Sequence, residues 1–511
     1  MKYGRTRILA GMLAAVLLLS SMAGCSKTSG DSKPQPGKEE DKTSLTVATM
    51  SETPSVGPYD HNAVAGSYVN SLVFATLFRT DENLVPEPWL VDSYESASDT
   101  EWIMHLKKNV KFHDGTPLTA EDVVASLALA KKSPEVSFYT GSVAKAEAVS
   151  TDTVKITTPA PSATLLYDLC HHGNAIVPKK LIDSGNDFGK NPIGAGPYVF
   201  KSWTRGDNIV FEAFEEYFMG APAIKKIVWK TIPEGSSRTI ALEANEVDMV
   251  IEVEAMDADR IKKNDKLTLL EHDATSVSWL MLNNEKNGLN NELVRKAINA
   301  AINKENVVTV ALNHLGSPLV SQAPQGMFGS TNEKAQRYDV EQAKKWMKES
   351  GVKPESVKLS IICSSDQKKR AAEVIQADLA QLGIAAQIES MDLATYLSTT
   401  AEGNFTGAIG GYSASDMVAY LQGVFHSSSI NASNKSRLKN DGVDALINEA
   451  AKTVDEGKRK KLLEDCITNL NSLCPQVPLW QDVYLRAFQK NVKGVKINAG
   501  GEIRFENISK E

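Results

Sequence analysis

The 511-residue chain is 42% hydrophobic and 7% aromatic, enough apolar side chain for two or three domain-sized units. Its 56 basic residues against 63 acidic ones give a formal charge of −7, and no basic stripe runs through it, which argues against a nucleic-acid partner.

The N-terminus bears on compartment. Lys2, Arg5 and Arg7 precede a short apolar run over residues 8–19, and Met22-Ala23-Gly24-Cys25 follows directly. Charge, short apolar run and small residues in that order describe an export signal, whereas a transmembrane helix needs about 20 apolar residues. Met22-Ala23-Gly24-Cys25 resembles the bacterial lipobox, in which the Cys becomes residue one of the mature protein. That resemblance implies a diacylglyceryl group on the Cys25 sulfur and usually a further acyl chain on its amine, and two or more chains anchor a protein stably. Residues 1–24 are therefore expected to be removed, leaving 53 basic against 63 acidic residues and a net charge of −10. Residues 26–44 contain no aliphatic or aromatic side chain and, with Cys25, read as a lipidated flexible tether.

In chain order, the alternation of Trp102, Met104, Leu106, Val110 and Phe112 predicts a strand over 101–112. His113-Asp114-Gly115-Thr116-Pro117 is turn chemistry. Thr119, with Glu121 and Asp122 behind it, opens a helix that buries Val123, Leu127 and Ala130. Strand-like segments follow at 209–214, 227–232, 359–363 and 408–412. Helical stripes run through Val294, Ala297, Ile298, Ala301 and Ile302, and through Ala372, Ile375, Leu379 and Leu382 with Gly383 as a left-handed stop. Two more pass through Val443, Leu446, Ile447 and Ala450, and through Leu462, Cys466, Ile467, Leu470 and Leu473 before Pro475. The pattern is mixed α/β without repeats. Cys466 and Cys474 sit eight helical residues apart, about 12 Å, beyond the roughly 7 Å a disulfide allows between Cα atoms. Cys170, Cys363, Cys466 and Cys474 read as small buried apolar side chains.

Four segments resemble the family 5 solute-binding proteins, the oligopeptide- and dipeptide-binding components of ABC importers. They are residues 106–123 (LKKNVKFHDGTPLTAEDV), residues 191–198 (NPIGAGPY), the run from Leu282-Asn283 through residues 294–298 to 301–305, and residues 475–479 (PQVPL). They occur in family order and span essentially the whole mature chain. The resemblance implies a two-lobed periplasmic-binding-protein-like fold (type II, cluster C) with an extra subdomain and discontinuous lobes. Lobe I is expected at 45–78, 191–282 and 480–511, the subdomain at 79–190 and lobe II at 283–479. It also implies a lipoprotein that captures peptides outside the membrane by hinge closure, as a monomer, and passes them to ABC permease subunits. Nickel, another metal chelate or another small solute is the alternative ligand. ATP hydrolysis belongs to other subunits, and no phosphate-loop pattern occurs.

The ligand-contact candidates follow from the same resemblance. In peptide binders a strand reading Gly, Trp, any residue, Ala, Asp places its Asp on the peptide's α-amine; here the segment is Gly411-Tyr412-Ser413-Ala414-Ser415-Asp416. Tyr412 takes the aromatic position, Ser415 stands where the acid is expected, and Asp416 follows one residue late, to serve the amine or to play a structural part. His426, in Phe425-His426-Ser427, and Tyr59, in the segment after the first strand, are further candidates. Trp279 reads as core. His171-His172 is the one histidine pair; neighbours on a strand face opposite ways, so no metal site is expected. Glu252 and Glu254 share a face in an extended segment and read as solvated. Ser-x-x-Lys occurs at 142–145, 365–368 and 436–439, but its companion motifs are absent. An exported lipoprotein hydrolase would need a nucleophile and base pair that the sequence lacks, so neither enzyme activity nor a cofactor is expected.

Overall fold

The computed structural model describes residues 41–511; the export signal, Cys25 and the tether up to residue 40 lie outside them. The first strand, Ser44–Thr49, opens directly after the turn at Lys42 and Thr43.

Local chemistry sets the subdomain. The strand Glu101–Leu106 ends sooner than its alternation suggests, because Asn109 takes a left-handed conformation (φ 60°) and turns the chain; Val110 and Phe112 still bury. Gly115 (φ 81°) makes the turn at 113–117, and Lys111 bridges Pro117 across it. The helix Ala120–Ala130 begins in a capping box: the Thr119 amide and hydroxyl both donate to Asp122 Oδ2 at 2.8 Å. Asp122 Oδ1 accepts from the Lys179 amide at 2.7 Å, tying the short helix Lys179–Asp183 to the same carboxylate. An antiparallel sheet in the order Val91–Ser98, Glu101–Leu106, Thr153–Thr157, Lys145–Ser150 backs this helix. Its core takes in Ala75, Leu77 and Phe78, while Ala130, Val136 and Val177 pack with Tyr59, Val69 and Trp229. The subdomain and the first lobe therefore share apolar cores.

One eleven-stranded sheet runs through both lobes. Its order is Ala386–Ser390, Leu359–Cys363, Gly407–Tyr412, Leu267–Leu282, Gln476–Gln489, Met249–Val250, Ser44–Thr49, Lys226–Thr231, Asn208–Ala213, Tyr198–Thr204, with Ser317–Pro318 pairing beside Gln476–Gln489. The two central strands are long and antiparallel. Residues 267–273 pair with 483–489 in the first lobe and residues 277–281 with 476–481 in the second; the register breaks between Asp273 and Val277. First-lobe strands attach through Gln476–Gln489, and second-lobe strands through Leu267–Leu282, except Ser317–Pro318, which pairs with Gln476–Gln489.

Apolar layers cover both faces of each half. In the second lobe, Val294, Ala297, Ile298 and Ala301 of helix Glu292–Ala301, with Ile302 beyond its end and Ile375 and Leu379 of helix Asp366–Ala380, pack on Leu280, Ile361, Ile409 and Trp480. Cys466, Ile467 and Leu470 of helix Glu456–Leu473 pack on the opposite side with Trp279, Met281 and Tyr420. Gly383 stops its helix at φ 78°. Cys474 ends the last helix left-handed, and buried Arg295 donates to the Cys474, Leu473 and Leu289 carbonyls at 2.9–3.0 Å, satisfying acceptors a helix end leaves open. Cys170, Cys363, Cys466 and Cys474 are all unpaired thiols.

His171 and His172 do not lie on a strand. They enter a 3-10 turn, His172–Asn174, and stack: His171 on Tyr139 at 3.5 Å between ring centres, His172 on His171 at 4.2 Å and on His61 at 5.5 Å. His171 Nδ1 accepts from the Gly173 amide, and His172 Nε2 faces the His61 carbonyl. Among the described residues no three His, Cys, Asp or Glu side chains group to hold a metal. Burial lowers His171 to about 2 and His172 to about 4, reinforced by the neighbouring rings, and burial lowers His61 as well. A folded-state pKa below the unfolded value of about 6.5 means the unfolded chain binds more protons as pH falls, so the stack's stability is complete near neutrality and erodes below about pH 6.5. At pH 5 each of the two deeply shifted rings costs about 2 kcal/mol. The thermal midpoint should therefore fall from pH 7 to pH 5, and His171→Phe, which keeps the stack on Tyr139, should flatten that slope. An unchanged slope in the variant removes the stack as its cause.

Candidate functional site

The parallel strands of both lobes end at the central pair. In open α/β sheets ligands bind outside the carboxyl ends of the strands, where the strand order reverses. In the first lobe those ends are Thr49-Met50 and Ile251-Glu252. Glu252 accepts from the Met50 amide at 3.0 Å and the Thr49 hydroxyl at 3.2 Å. Fully buried Arg238 donates to the Glu252, Ile232 and Pro233 carbonyls and lies 3.5 Å from Glu254, so neither acid is a free surface charge. Buried Arg486 donates to the Ile251 carbonyl and Tyr68 Oη, with its guanidinium against the Tyr484 ring. At the register break, Asp482 accepts from Ser276 Oγ at 2.6 Å and Trp480 Nε1 at 2.9 Å, clipping one long strand to the other. Asp273 and Val483 are register partners on the face opposite Asp482. They line a cavity of about 450 Å³ with Ser317, Gln325 and Ala499, behind the pair rather than at the strand ends.

The second-lobe strand Gly407–Tyr412 carries the candidates read from sequence. It pairs with Leu359–Cys363 only through Gly407 and Ala408; beyond them, among the described residues, the edge away from Leu267–Leu282 has no strand neighbour. A Cβ on Gly410 would meet Met281 Cε and Tyr396 Oη at 2.6 Å, and one on Gly411 would meet the Val277 carbonyl at 2.5 Å. Glycines are required for the strand to lie this close to its neighbours. Tyr412 ends the strand, its ring edge-on to Tyr420 and its hydroxyl against Gly423. Ser413 Oγ lies 3.0 Å from Thr275 Oγ1, beside the register break.

Ser415, Asp416 and His426 have local partners. Asp416 caps the helix Met417–Val424, its Oδ1 accepting from the Ala419 amide at 2.9 Å; Ser415 Oγ reaches Oδ2 at 3.4 Å. Burial raises the Asp416 pKa, opposed by the amides it caps. His426 caps the 3-10 turn Ser427–Ser429, its Nδ1 accepting from the Ser428 amide and its Nε2 near Asn448 Nδ2. Tyr59 is buried at 8% exposure, donates to the Ala175 carbonyl at 2.7 Å and meets Phe188 edge-on, away from the strand ends. Trp279 is buried edge-on to Tyr420. Tyr412, Ser413, Ser415 and Asp416 thus cluster, whereas Tyr59 and His426 are held by neighbours of their own.

Two features escaped the sequence reading. Lys368 stands in the first turn of helix Asp366–Ala380, directly after the carboxyl end of Leu359–Cys363. Its Nζ lies 3.3 Å from Ser364 Oγ and 5.1 Å from the Tyr396 ring centre. Burial lowers its pKa, with Cys363 and Asp482 pulling the other way, and among the described residues it forms no ion pair. The Ser365-x-x-Lys368 match has a local explanation: Ser365 Oγ caps the helix by accepting from the Lys368 amide. The first of three consecutive cations, Lys368-Lys369-Arg370, one turn past an apolar strand was the signal available. The second feature is a meeting of the subdomain with the second lobe near Asp416, where burial, with Asp416 adding to it, pushes Asp168 up to about 6.

Comparison with known proteins matches this architecture. Residues 85–432 match the model of the bacterial extracellular solute-binding proteins, family 5, middle region. The chain is 28% identical to Heme-binding protein A of Haemophilus influenzae, covering 88% of each chain. It is 26% identical to the glutathione-binding protein GsiB of Escherichia coli K12, over 97% of this chain and 98% of that one. Among solved structures, the ABC transporter-associated periplasmic binding protein DppA of Helicobacter pylori, in complex with the peptide STSA, superposes with a TM-score of 0.67 at 26% identity, covering 92% of this chain and 98% of that one. The chain belongs to the family 5 extracellular solute-binding proteins, the extracytoplasmic substrate-binding components of ABC importers, in their two-lobed α/β fold.

Proposed function

We propose that this protein is a lipid-anchored receptor for short peptides, which it binds in extended form along the open edge of Gly407–Tyr412. That edge carries the reading. Beyond Ala408 the strand has no strand neighbour; Tyr396 Oη donates to the Ile409 carbonyl at 2.8 Å, so the edge left exposed is at Gly411 and Tyr412, where an extended peptide can pair through its main chain. Lys368 supplies a cation for the peptide's carboxylate, and Ser413 and Ser415 supply hydroxyls near its amine, while Asp416, buried and capping the following helix, holds that segment in place. Support also comes from two relatives, one named for glutathione and one solved with a tetrapeptide. A small non-peptide solute is the second reading, favoured by the heme-binding relative and by Ser415 at the acid position.

The lobes would take residues 45–78, 191–273 and 483–511 on one side and 277–481 on the other, with the subdomain at 79–190, so that the boundaries expected at 282 and 480 move to the register break between Asp273 and Val277, where the hinge flexes. Driving such a hinge from 1:99 to 99:1 closed takes about 5.5 kcal/mol of preference for the closed form. A micromolar ligand supplies about 8 kcal/mol in total, so closure on peptide is affordable and gives the permease a form to recognise. We assign no enzymatic step to the protein.

Ligand released from the purified, unfolded protein and identified by mass spectrometry should be short peptide; a porphyrin or metal complex without peptide overturns the assignment. Lys368→Ala should weaken binding of peptides with a free C-terminal carboxylate about tenfold, by calorimetry, and leave C-terminally amidated peptides unaffected. Equal losses for both series remove Lys368 from carboxylate recognition. Cys25→Ser should shift the protein from the membrane to the soluble fraction on fractionation; continued membrane retention refutes lipidation at Cys25.

A further inference from the structure

Gly423 is out of place by helix chemistry. It lies within helix Met417–Val424, where glycine is a poorer helix former than alanine. It is not a left-handed stop: the cap is Phe425, whose amide donates to the Leu421 carbonyl, and Gly423 does not have a positive φ. A glycine inside a helix calls for a packing reason. Here a Cβ on Gly423 would meet Tyr412 Oη at 2.6 Å, Cζ at 2.8 Å and Cε1 at 3.2 Å. The Tyr412 ring occupies the space that any larger residue would fill.

The rest of the seat is rigid. Tyr420, three residues before Gly423, lies on the same face of the helix. It is fully buried, donates to the Gln322 carbonyl at 2.8 Å and stands edge-on to both Trp279 and Phe425. Tyr412 meets it edge-on, with ring centres 6.2 Å apart. Among the described residues no hydrogen bond holds the Tyr412 hydroxyl, so packing places the ring.

We propose that Gly423 is a positioning residue for ligand binding: the gap it leaves seats Tyr412 on the helix and keeps the edge at Gly411 and Tyr412 open to an extended ligand. Tyr412 is the last residue of its strand, half-buried between exposed Gly411 and Ser413. Pinning its side chain to the helix fixes the main chain where it leaves the sheet. A ring driven off the helix loses that hold and is free to swing across the groups that would pair with ligand. The inference rests on the reading of this edge as the binding site, and Gly423 acts on it only through Tyr412.

The probe is the tripeptide with free termini that the wild-type protein retains most strongly from a mixed tripeptide library, with its affinity measured by calorimetry. Gly423→Ala should weaken it severalfold, and so should Tyr412→Ala. In the Tyr412→Ala background, Gly423→Ala should cost nothing further, because no ring is left to displace. Tyr412→Phe in the Gly423→Ala background should recover part of the loss, since the hydroxyl oxygen makes the closest contact. Unaltered circular dichroism in Gly423→Ala separates a moved ring from a folding defect. Should that variant fold poorly, the double variant, free of the clash, must bind as Tyr412→Ala does. Full affinity in Gly423→Ala, or an undiminished effect of it without the ring, overturns the proposal and leaves the peptide reading intact. A wild-type protein that retains no tripeptide, or loses no affinity in Tyr412→Ala, overturns the reading of the edge and this proposal with it.

Discussion

The structure depends on the antiparallel pairing of Leu267–Leu282 with Gln476–Gln489. These two strands are the only ones shared by both lobes among the described residues, and the rest of the large sheet hangs from one or the other. The register break between Asp273 and Val277 divides a continuous ladder into two halves, each built into its own lobe by its own apolar layers. A β-bulge locally disrupts the ladder and bends the strand, so this is where the pair can flex without breaking either half. Asp482, held by Ser276 and Trp480, keeps the two strands in register across the weak point.

The strand ends gather around that point, and their chemistry divides into what holds the scaffold and what is left for a ligand. Arg238, Arg486 and Glu252 are spent on main-chain carbonyls, amides and hydroxyls of the first lobe. Asp416 and His426 are committed to caps. What remains exposed on the second-lobe side is the end of the strand at Gly411 and Tyr412 and the Lys368 ammonium, the groups on which the proposed peptide site rests.

Much of this was legible in sequence wherever the signal is local. The Thr119 and Asp122 pair, Gly383, the stripe from Val294 to Ile302 and the strand at 359–363 needed only neighbouring residues, and the fold's identity rested on motifs in family order. The strand beginning at Glu101 stopped short because Asn109, a residue that tolerates left-handed backbone, turned the chain inside an otherwise clean alternation. Asp416 was open to two readings because a capping acid and a ligand-binding acid look alike until the following helix is placed. His171 and His172 were misplaced onto a strand because stacking on Tyr139 and on His61, the latter over a hundred residues away, is invisible to local pattern. Lys368 was hidden inside a Ser-x-x-Lys match, and only the position of its strand in the sheet distinguishes it from a surface lysine.

The central strand Gln476–Gln489 comes last among the long strands, and both lobes need it. A chain emerging from its N-terminus can form the subdomain sheet and the outer strands early, but neither lobe can close its sheet until the final stretch from Gln476 onward is available. Pairing across such sequence distances is slow to form. The same topology that joins the two lobes through one strand pair also delays their compaction until the C-terminal end of the chain is available.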